Sequence, residues 1–530
     1  MNAKTDIMST KIPFKLKLLH ILRLILGTIG RLFFSIVYVC GGKKIPPITD
    51  DILKQPAIEV ARRIRNKEVT SVEVLTACIQ RIRDVNSVLN CFIEDRFDLA
   101  MKEACDADEF IRSGSKTEQE IYREKPFFGV PFTTKDSIGV KGLPLTAGVM
   151  LKKGVIAQED AEAIKLLRDK GAIIIGLTNV PELCMWWETH NQIYGRTNNP
   201  HNTTRIAGGS SGGEAVIQAV GGSIFGIGSD IGGSIRMPAF FNGIFGHKPS
   251  RNIVSNVGQY PESESDFIDS FACTGPMTRF AVDLKPLLKI MAGINCNKLN
   301  LDSPVDIRKL KIFYQYSNDA PFVDNVDTDI KKAMKRVVEY FNIKYRIVAE
   351  EKKIGILRKS ASIWFGTMTS PTRFGQHVMK DDSVGSICVE IVKNIFGFSG
   401  NTFVGLLTSL LDHGKDEVGS EKYKHNLKVR DDLEAFFSEM LGNDGVFLFP
   451  THPTPAPYHN EPLVKPMNFV YTAIINSLGL PSTAIPLGLG REGLPIGLQV
   501  VANHNNDRLC LAVSEELEKA FGGWVQPHNS

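Results

Sequence analysis

The chain has 530 residues, 43% of them apolar and 23% charged, which excludes a disordered scaffold and provides for a large buried core. Its net charge of +4 is unevenly placed: residues 1–50 carry +6 and the remaining 480 carry −2. The body is therefore electrically ordinary, and no nucleic-acid partner is expected. Nine cysteines are scattered without a CxxC pair, so they read as reduced core thiols, not a zinc or dithiol site.

The first predicted element is an apolar helix. Leu18 to Gly42 holds fourteen Leu, Ile, Phe or Val residues together with Arg23 and Arg31. The apolar residues favour insertion by about 4–8 kcal/mol in total. Each arginine costs about 2.5–3.5 kcal/mol at the bilayer centre, so the sum is close to zero. At 100° per residue, His20, Arg23, Gly27 and Arg31 form one polar stripe. That pattern suits a retained membrane anchor lying in the interface or packed on a partner, and a spanning helix stays open. Arginines interrupt the segment and no small-x-small site follows, which disfavours a cleaved signal peptide.

Gly41-Gly42-Lys43-Lys44-Ile45-Pro46-Pro47 reads as a linker, dividing an anchor (1–45) from a body (46–530). Helical spacing follows over Ile52–Arg65 and Ser71–Val88. Phe128–Thr134 reads as a buried strand, Asp160–Lys170 as a helix closed by Gly171, and Ala172–Leu177 as another strand. This alternation predicts an α/β body. Residues 208–233 contain ten glycines, four times as pairs, with apolar stretches between them. A flexible linker lacks such interruptions, so this stretch is expected to be packed, with backbone N–H groups converging on one place.

Three positions there and upstream carry chemistry. Ser234 follows Gly232-Gly233, where bare backbone approaches a ligand closely and forms an oxyanion hole. A serine needs a base, and none of the eleven histidines sits in a recognisable triad motif. Gly209-Ser210-Ser211-Gly212-Gly213 matches G-x-S-x-G with Ser211 central, but a turn-rich polar segment precedes it where a nucleophile elbow needs a strand. Lys135 ends an apolar run, and burial would hold it neutral as a base. Asp136 follows it, and on a strand it points to the opposite face.

Together these motifs resemble the amidase-signature family. The run Gly208 to Pro249 matches that family's signature over its length, and Lys135 precedes Ser210 by 75 residues while Ser234 follows by 24. Further matches are Thr178-Asn179-Val180-Pro181-Glu182-Leu183, Gly275-Pro276-Met277-Thr278-Arg279, Pro450 to Pro457 and Leu494 to Gln499. The resemblance covers roughly residues 50–525. It implies an α/β fold: one large amidase-signature domain with a central mixed β-sheet flanked by helices, preceded by the apolar membrane helix. Ser234 resembles the acyl-ester nucleophile, Ser210 the bridging serine after a cis peptide bond, and Lys135 the terminal base. The N–H groups of Ile231, Gly232, Gly233 and Ser234 would form the oxyanion hole. Ser211 and Asp230 look like supports, and Arg236 like a structural ion-pair partner. The implied reaction is acyl transfer to water with neither metal nor organic cofactor.

The signature leaves the acyl group open. The anchor and Phe403, Leu406, Leu407, Leu410 and Leu411 at helical spacing, preceded by Ile395, Phe396 and Phe398, favour a lipid amide substrate taken from a membrane. The same five residues fit a core-facing helix. Trp186, Ser477 and Leu478 are candidates for lining an acyl channel. A short-chain amidase, an amidotransferase subunit and a non-catalytic lipid-binding protein remain alternatives. An endomembrane or lipid-droplet surface is expected, with its side undecided, and homo-oligomerisation is left open.

Overall fold

The computed structural model describes residues 14–39, 41–263, 265–368, 372–415 and 417–527. Eleven strands form one mixed sheet: β1 (Phe92–Asp95), β2 (Pro131–Lys135), β3 (Ile173–Thr178), β4 (Phe225–Asp230), β5 (Phe245–Lys248), β6 (Cys273–Thr278), β7 (Lys311–Tyr314), β8 (Glu350–Glu351), β9 (Gly445–Phe449), β10 (Ser482–Leu489) and β11 (Pro495–Ala502). Their order is β1-β3-β2-β4-β6-β5-β10-β11-β9-β7-β8. The pairs β3/β2, β2/β4, β9/β7 and β7/β8 are parallel and the others antiparallel. Helices cover the sheet, so every residue of β2, β3, β6, β9 and β11 is buried. Strands buried on both faces tend to read as apolar runs, which is why β2 and β3 were legible in the sequence.

The helix Ser71–Leu89 starts where the spacing predicts. Thr70 Oγ1 accepts from Glu73 N–H at 3.1 Å and the Glu73 carboxylate accepts from Thr70 N–H at 2.7 Å, a reciprocal cap. The helix expected over Ile52–Arg65 is split. A 3₁₀ turn spans Asp51–Lys54, Gln55 is extended, and an α-helix runs Ala57–Arg65. Pro56 is the reason, because a residue before proline is pushed out of the helical region. Likewise Phe127–Val130 forms a turn, so the strand begins at Pro131 and not at Phe128.

Two expectations need correction. The segment expected as a linker lies along the body: Ile45 is buried in the main core, Lys43 N–H donates to Thr203 Oγ1 at 2.7 Å, and Pro46 C=O accepts from Arg81 at 2.8 Å. The cysteines are not uniformly core thiols. Cys78, Cys91, Cys273 and Cys510 are buried, but Cys105 and Cys388 are exposed and Cys184 and Cys296 are half-buried. Cys40 lies outside the described residues.

Helix α1 (Phe14–Val37) takes up most of the apolar N-terminal segment, Leu18 to Val37, and lies against the body. Four further helices shape the site: α2 (Gly212–Ala219), α3 (Arg236–Asn242), α4 (Phe403–Asp412) and α5 (Val470–Ser477). The five-residue apolar pattern on α4 serves both faces. Leu406 is buried against Val149, Leu183 and Phe374, whereas Phe403, Leu407 and Leu411 are exposed. Ile395, Phe396 and Phe398 before it are also exposed.

Candidate active site

The parallel strands β2 and β4 lie side by side near the middle of the sheet, Thr134 opposite Ile227. Their carboxyl ends deliver Lys135 and the Ser229–Asp230 pair to one place. Open sheets leave room for ligands at such strand ends. Lys135 is fully buried. Its Nζ donates to Ser210 Oγ at 2.8 Å and to Ser229 Oγ at 3.0 Å. Burial lowers its pKa from the ordinary lysine value, and its neighbours Cys184 and Asp230 oppose that only in part. Asp136 lies one residue past β2, in a turn, so strand alternation does not set its direction. Its carboxylate accepts from the Thr146 N–H at 2.9 Å and from the Thr146 hydroxyl.

Ser210 sits at the end of a loop in which the Gly209–Ser210 peptide is cis. No strand leads directly into it: the preceding strand is the two-residue Gly195–Arg196, and α2 begins at Gly212, so the expected mismatch with a nucleophile elbow holds. Ser211 N–H donates to Ser234 C=O at 3.1 Å, and Ser211 Oγ donates to Ser229 C=O at 3.4 Å. Ser211 therefore stitches the Ser210 loop to the loop after β4. On α2, the Glu214 carboxylate is fully buried beneath Lys135. It accepts from Thr133, Thr178 and Gln218, yet burial still pushes it up to about 7.

The loop Ile231–Ser234 is wrapped around Asp230. That carboxylate accepts from the N–H groups of Gly233 (2.7 Å), Ile235 (3.1 Å) and Arg236 (3.3 Å). Arg236 closes the arrangement with Nε and Nη2, each 3.0 Å from an Asp230 oxygen. Burial would raise the Asp230 carboxyl, but the adjacent guanidinium outweighs it and holds the group at about 2. Arg236 also donates to Gln499, Asn476 and the Thr472 carbonyl, so its expected structural role matches its surroundings. Gly233 has φ +123°, and a Cβ there would lie 2.0 Å from Thr472 Oγ1. Only glycine fits.

This wrapping corrects the expected donor set. The Gly233 N–H is committed to Asp230 and does not point at a ligand. The N–H groups of Ile231, Gly232 and Ser234 have no hydrogen-bond partner among the described residues. Ser210, Ser229 and Ser234 line one cavity together with Cys184, Met185 and Tyr260. No hydrogen bond joins the Ser210 and Ser234 hydroxyls in this arrangement. Among the described residues, no cluster of three His, Cys, Asp or Glu is placed to hold a metal.

Sequence reasoning missed two contributors. Ser229 carried no motif of its own, and only its position one residue before Asp230 at the end of an apolar run could have marked it. Glu182 was read merely as part of a matching stretch. Its buried carboxylate accepts from Thr402 N–H (2.8 Å), Thr402 Oγ1 (2.6 Å) and Asn401 Nδ2 (3.0 Å), pinning the start of α4 to the segment that leads into Cys184. A second cavity lies beyond Met185 and Phe374, which line both; Trp186, Phe403 and Leu463 also line it. Ser477 and Leu478 are enclosed, with the Ser477 hydroxyl donating to Ala473 C=O.

Comparison with known proteins agrees with this architecture. A family model described as "Amidase" matches residues 73–511. Fatty-acid amide hydrolase 2-B of Danio rerio is 44% identical over 492 residues, 92% of this chain and 93% of that protein. Fatty-acid amide hydrolase 2 of Homo sapiens is 41% identical, covering 97% of this chain and 98% of that protein. Among solved structures, an amidase superposes with a TM-score of 0.71 at 26% identity, covering 88% of this chain and 100% of its own. A fatty acid amide hydrolase superposes with a TM-score of 0.70 at 22% identity, covering 99% and 94%, a likeness of fold.

Proposed function

Because the chain belongs to the amidase family, we propose that this amide hydrolase cleaves fatty-acid amides to fatty acid and amine at a membrane surface. The reading assigns Ser234 as nucleophile, Ser210 as proton bridge and Lys135 as terminal base. Neutral Lys135 takes a proton from Ser210, which takes one from Ser234 as Ser234 Oγ attacks the amide carbonyl. The free N–H groups of Ile231, Gly232 and Ser234 would receive the developing oxyanion. Reversal of the relay protonates the leaving amine, and water then hydrolyses the acyl-enzyme.

One observation carries the reading: a fully buried lysine with a lowered pKa donates to Ser210 Oγ at 2.8 Å beside a cavity that Ser210 and Ser234 share. Only the neutral amine has a lone pair to accept a proton, and burial supplies that state. The lipid preference is supported by the exposed apolar residues of α1 and α4 and by the names of the two relatives.

Membranes carrying wild type or Ser234→Ala, assayed against a long-chain fatty amide and a short amide, test the proposal. Long-chain turnover is expected in wild type and its loss in the variant. A wild type that prefers the short amide removes the lipid assignment but leaves the reaction. Inactive, well-folded wild type across an alkaline series removes the reaction.

A further inference from the structure

Helix α1 is joined to the body by its polar side. Among residues 18–39, those turned toward the body include His20, Arg23, Leu24, Gly27, Gly30, Arg31, Phe34 and Tyr38, spaced three and four apart. Arg23 pairs with Asp324 and donates to Asn468 Oδ1 at 3.4 Å. Asp324 is held in turn by Lys465 at 3.2 Å and by Asn468 Nδ2 at 2.9 Å. His20 Nδ1 accepts from Phe322 N–H at 3.2 Å. Arg31 pairs with Glu492, which also binds Arg205. Tyr38 stacks on Tyr458 with centroids 6.0 Å apart.

The approach is close because two positions lack side chains. A Cβ at Gly30 would sit 2.9 Å from Val464 Cγ2, and one at Gly27 would sit 3.4 Å from Lys465 Cε. The opposite face is Leu18, Leu19, Ile21, Leu22, Ile25, Leu26, Ile29, Leu32, Phe33, Ile36 and Val37, all exposed and without one charge. Thr28 is the polar residue among them, and its hydroxyl donates back to Leu24 C=O at 2.8 Å.

We propose that α1 does not cross a bilayer but lies along one leaflet, clasped to the body through Arg23 and Arg31, with its outer face buried in lipid. Arg23 and Arg31 are eight residues apart, about 12 Å along a helix. Both bind the body, so the helix axis runs along the body surface. A crossing helix would drag Asp324, Lys465 and Glu492 into hydrocarbon or break both ion pairs. The clasp also removes the objection to lipid contact, because both arginines are satisfied away from it.

The occupant is a lipid surface, not a second protein. The outer face offers no hydrogen-bonding group to a protein partner and none of the tyrosine, tryptophan or arginine anchors that protein interfaces favour. Lysines flank the segment in sequence on both sides (Lys11, Lys15 and Lys17 before, Lys43 and Lys44 after), matching anionic headgroups. The apolar surface continues onto exposed Leu463 and Val464, beside which α1 rests, and Leu463 and Phe403 line the same cavity. The proposal deepens the membrane part of the function proposed above and rests on it.

Topology decides the matter. Full-length protein with a tag ahead of Met1 is synthesised with sealed microsomes and treated with protease. Tag and body are expected to be cut together or protected together; one cut while the other is protected overturns the proposal. Purified protein is floated with phosphatidylcholine–phosphatidylserine vesicles. The triple variant Leu22→Glu, Leu26→Glu, Ile29→Glu should reduce recovery roughly tenfold or more. Wild type that fails to float, or that instead forms a stable dimer lost in the triple variant, overturns it. Asp324→Arg should raise proteolysis at Gly41–Gly42 roughly tenfold, and adding Arg23→Asp should restore protection, the mark of an ion pair rather than of misfolding. If neither change affects proteolysis, there is no clasp. Short-amide hydrolysis is scored in the same samples. Its absence strikes the proposed reaction and leaves the topology result standing.

Discussion

Asp230 and Arg236 face each other with two contacts of 3.0 Å, and neither side chain is reached by solvent. Five residues of chain lie between them, among them the bare glycines and Ser234. The ion pair and its hydrogen bonds therefore hold the loop's shape while Ser234 remains at the cavity. Arg236→Met should lower stability by about 3–5 kcal/mol, because the remaining carboxylate is buried unpaired. Urea denaturation measures it. Adding Asp230→Asn should recover much of the loss, and two additive losses would contradict the pairing. Asp230 is held at about 2 against an ordinary 3.8, a depressed value. Its contribution to stability is therefore fully present above pH 3.8 and disappears as pH falls through about 2.

Lys135 carries the opposite signature of a buried base. Its pKa lies below the ordinary 10.5 because burial disfavours the charged amine. The rate of short-amide hydrolysis should rise with pH and level off before 10.5. Between the folded value and 10.5 the unfolded chain binds more protons at this group, so this lysine makes stability rise with pH there. A flat pH dependence of kcat/KM from mildly acid to alkaline conditions would remove Lys135 from the relay.

Ser229 is a positioning residue for that amine. Ser229→Ala leaves Lys135 with one hydroxyl partner instead of two. We expect kcat to fall roughly tenfold with KM unchanged, the worth of one modest hydrogen bond. The charged amine also loses an acceptor, so the acid limb of the pH profile should move to lower pH. Ser229→Thr should restore both. A structural defect alone would not move the limb.

Gly233 allows one backbone conformation that an alanine resists. At φ +123°, with Thr472 Oγ1 at 2.0 Å from a Cβ, Gly233→Ala must displace either the loop or α5. Activity should fall by at least about a hundredfold, the scale of losing an oxyanion donor. Circular dichroism should still report a folded protein. Retained activity would place the oxyanion donors elsewhere.

On α4 the two faces should separate cleanly. Leu406→Asp buries a charge in an apolar cluster and should prevent folding. Phe403→Asp with Leu407→Asp changes exposed positions. It should spare the fold and short-amide turnover while weakening vesicle binding and long-chain turnover. Unchanged liposome binding in a folded double variant would exclude α4 from the lipid surface.

Much of this was legible in the chain itself. The apolar run ending in Lys135 announced a strand buried on both faces, and burial of the lysine follows from that alone. Glycine pairs interrupted by aliphatic residues marked a packed loop, and helical periodicity placed His20, Arg23, Gly27 and Arg31 on one stripe. These are local patterns, set by the two-residue repeat of strands, the 3.6-residue repeat of helices and the absence of a Cβ. Local pattern fixes which way a side chain turns, but not what it meets. Ser229 reaches Lys135 only because β4 pairs with β2 across 94 positions of sequence. Gly233 N–H is lost to the donor set because Arg236 draws Asp230 beneath the loop. The stripe on α1 could have faced lipid headgroups or protein, and Asp324 and Glu492, 301 and 461 positions away, decided it. Such meetings depend on how distant elements close around the core, and that is a property of the tertiary fold.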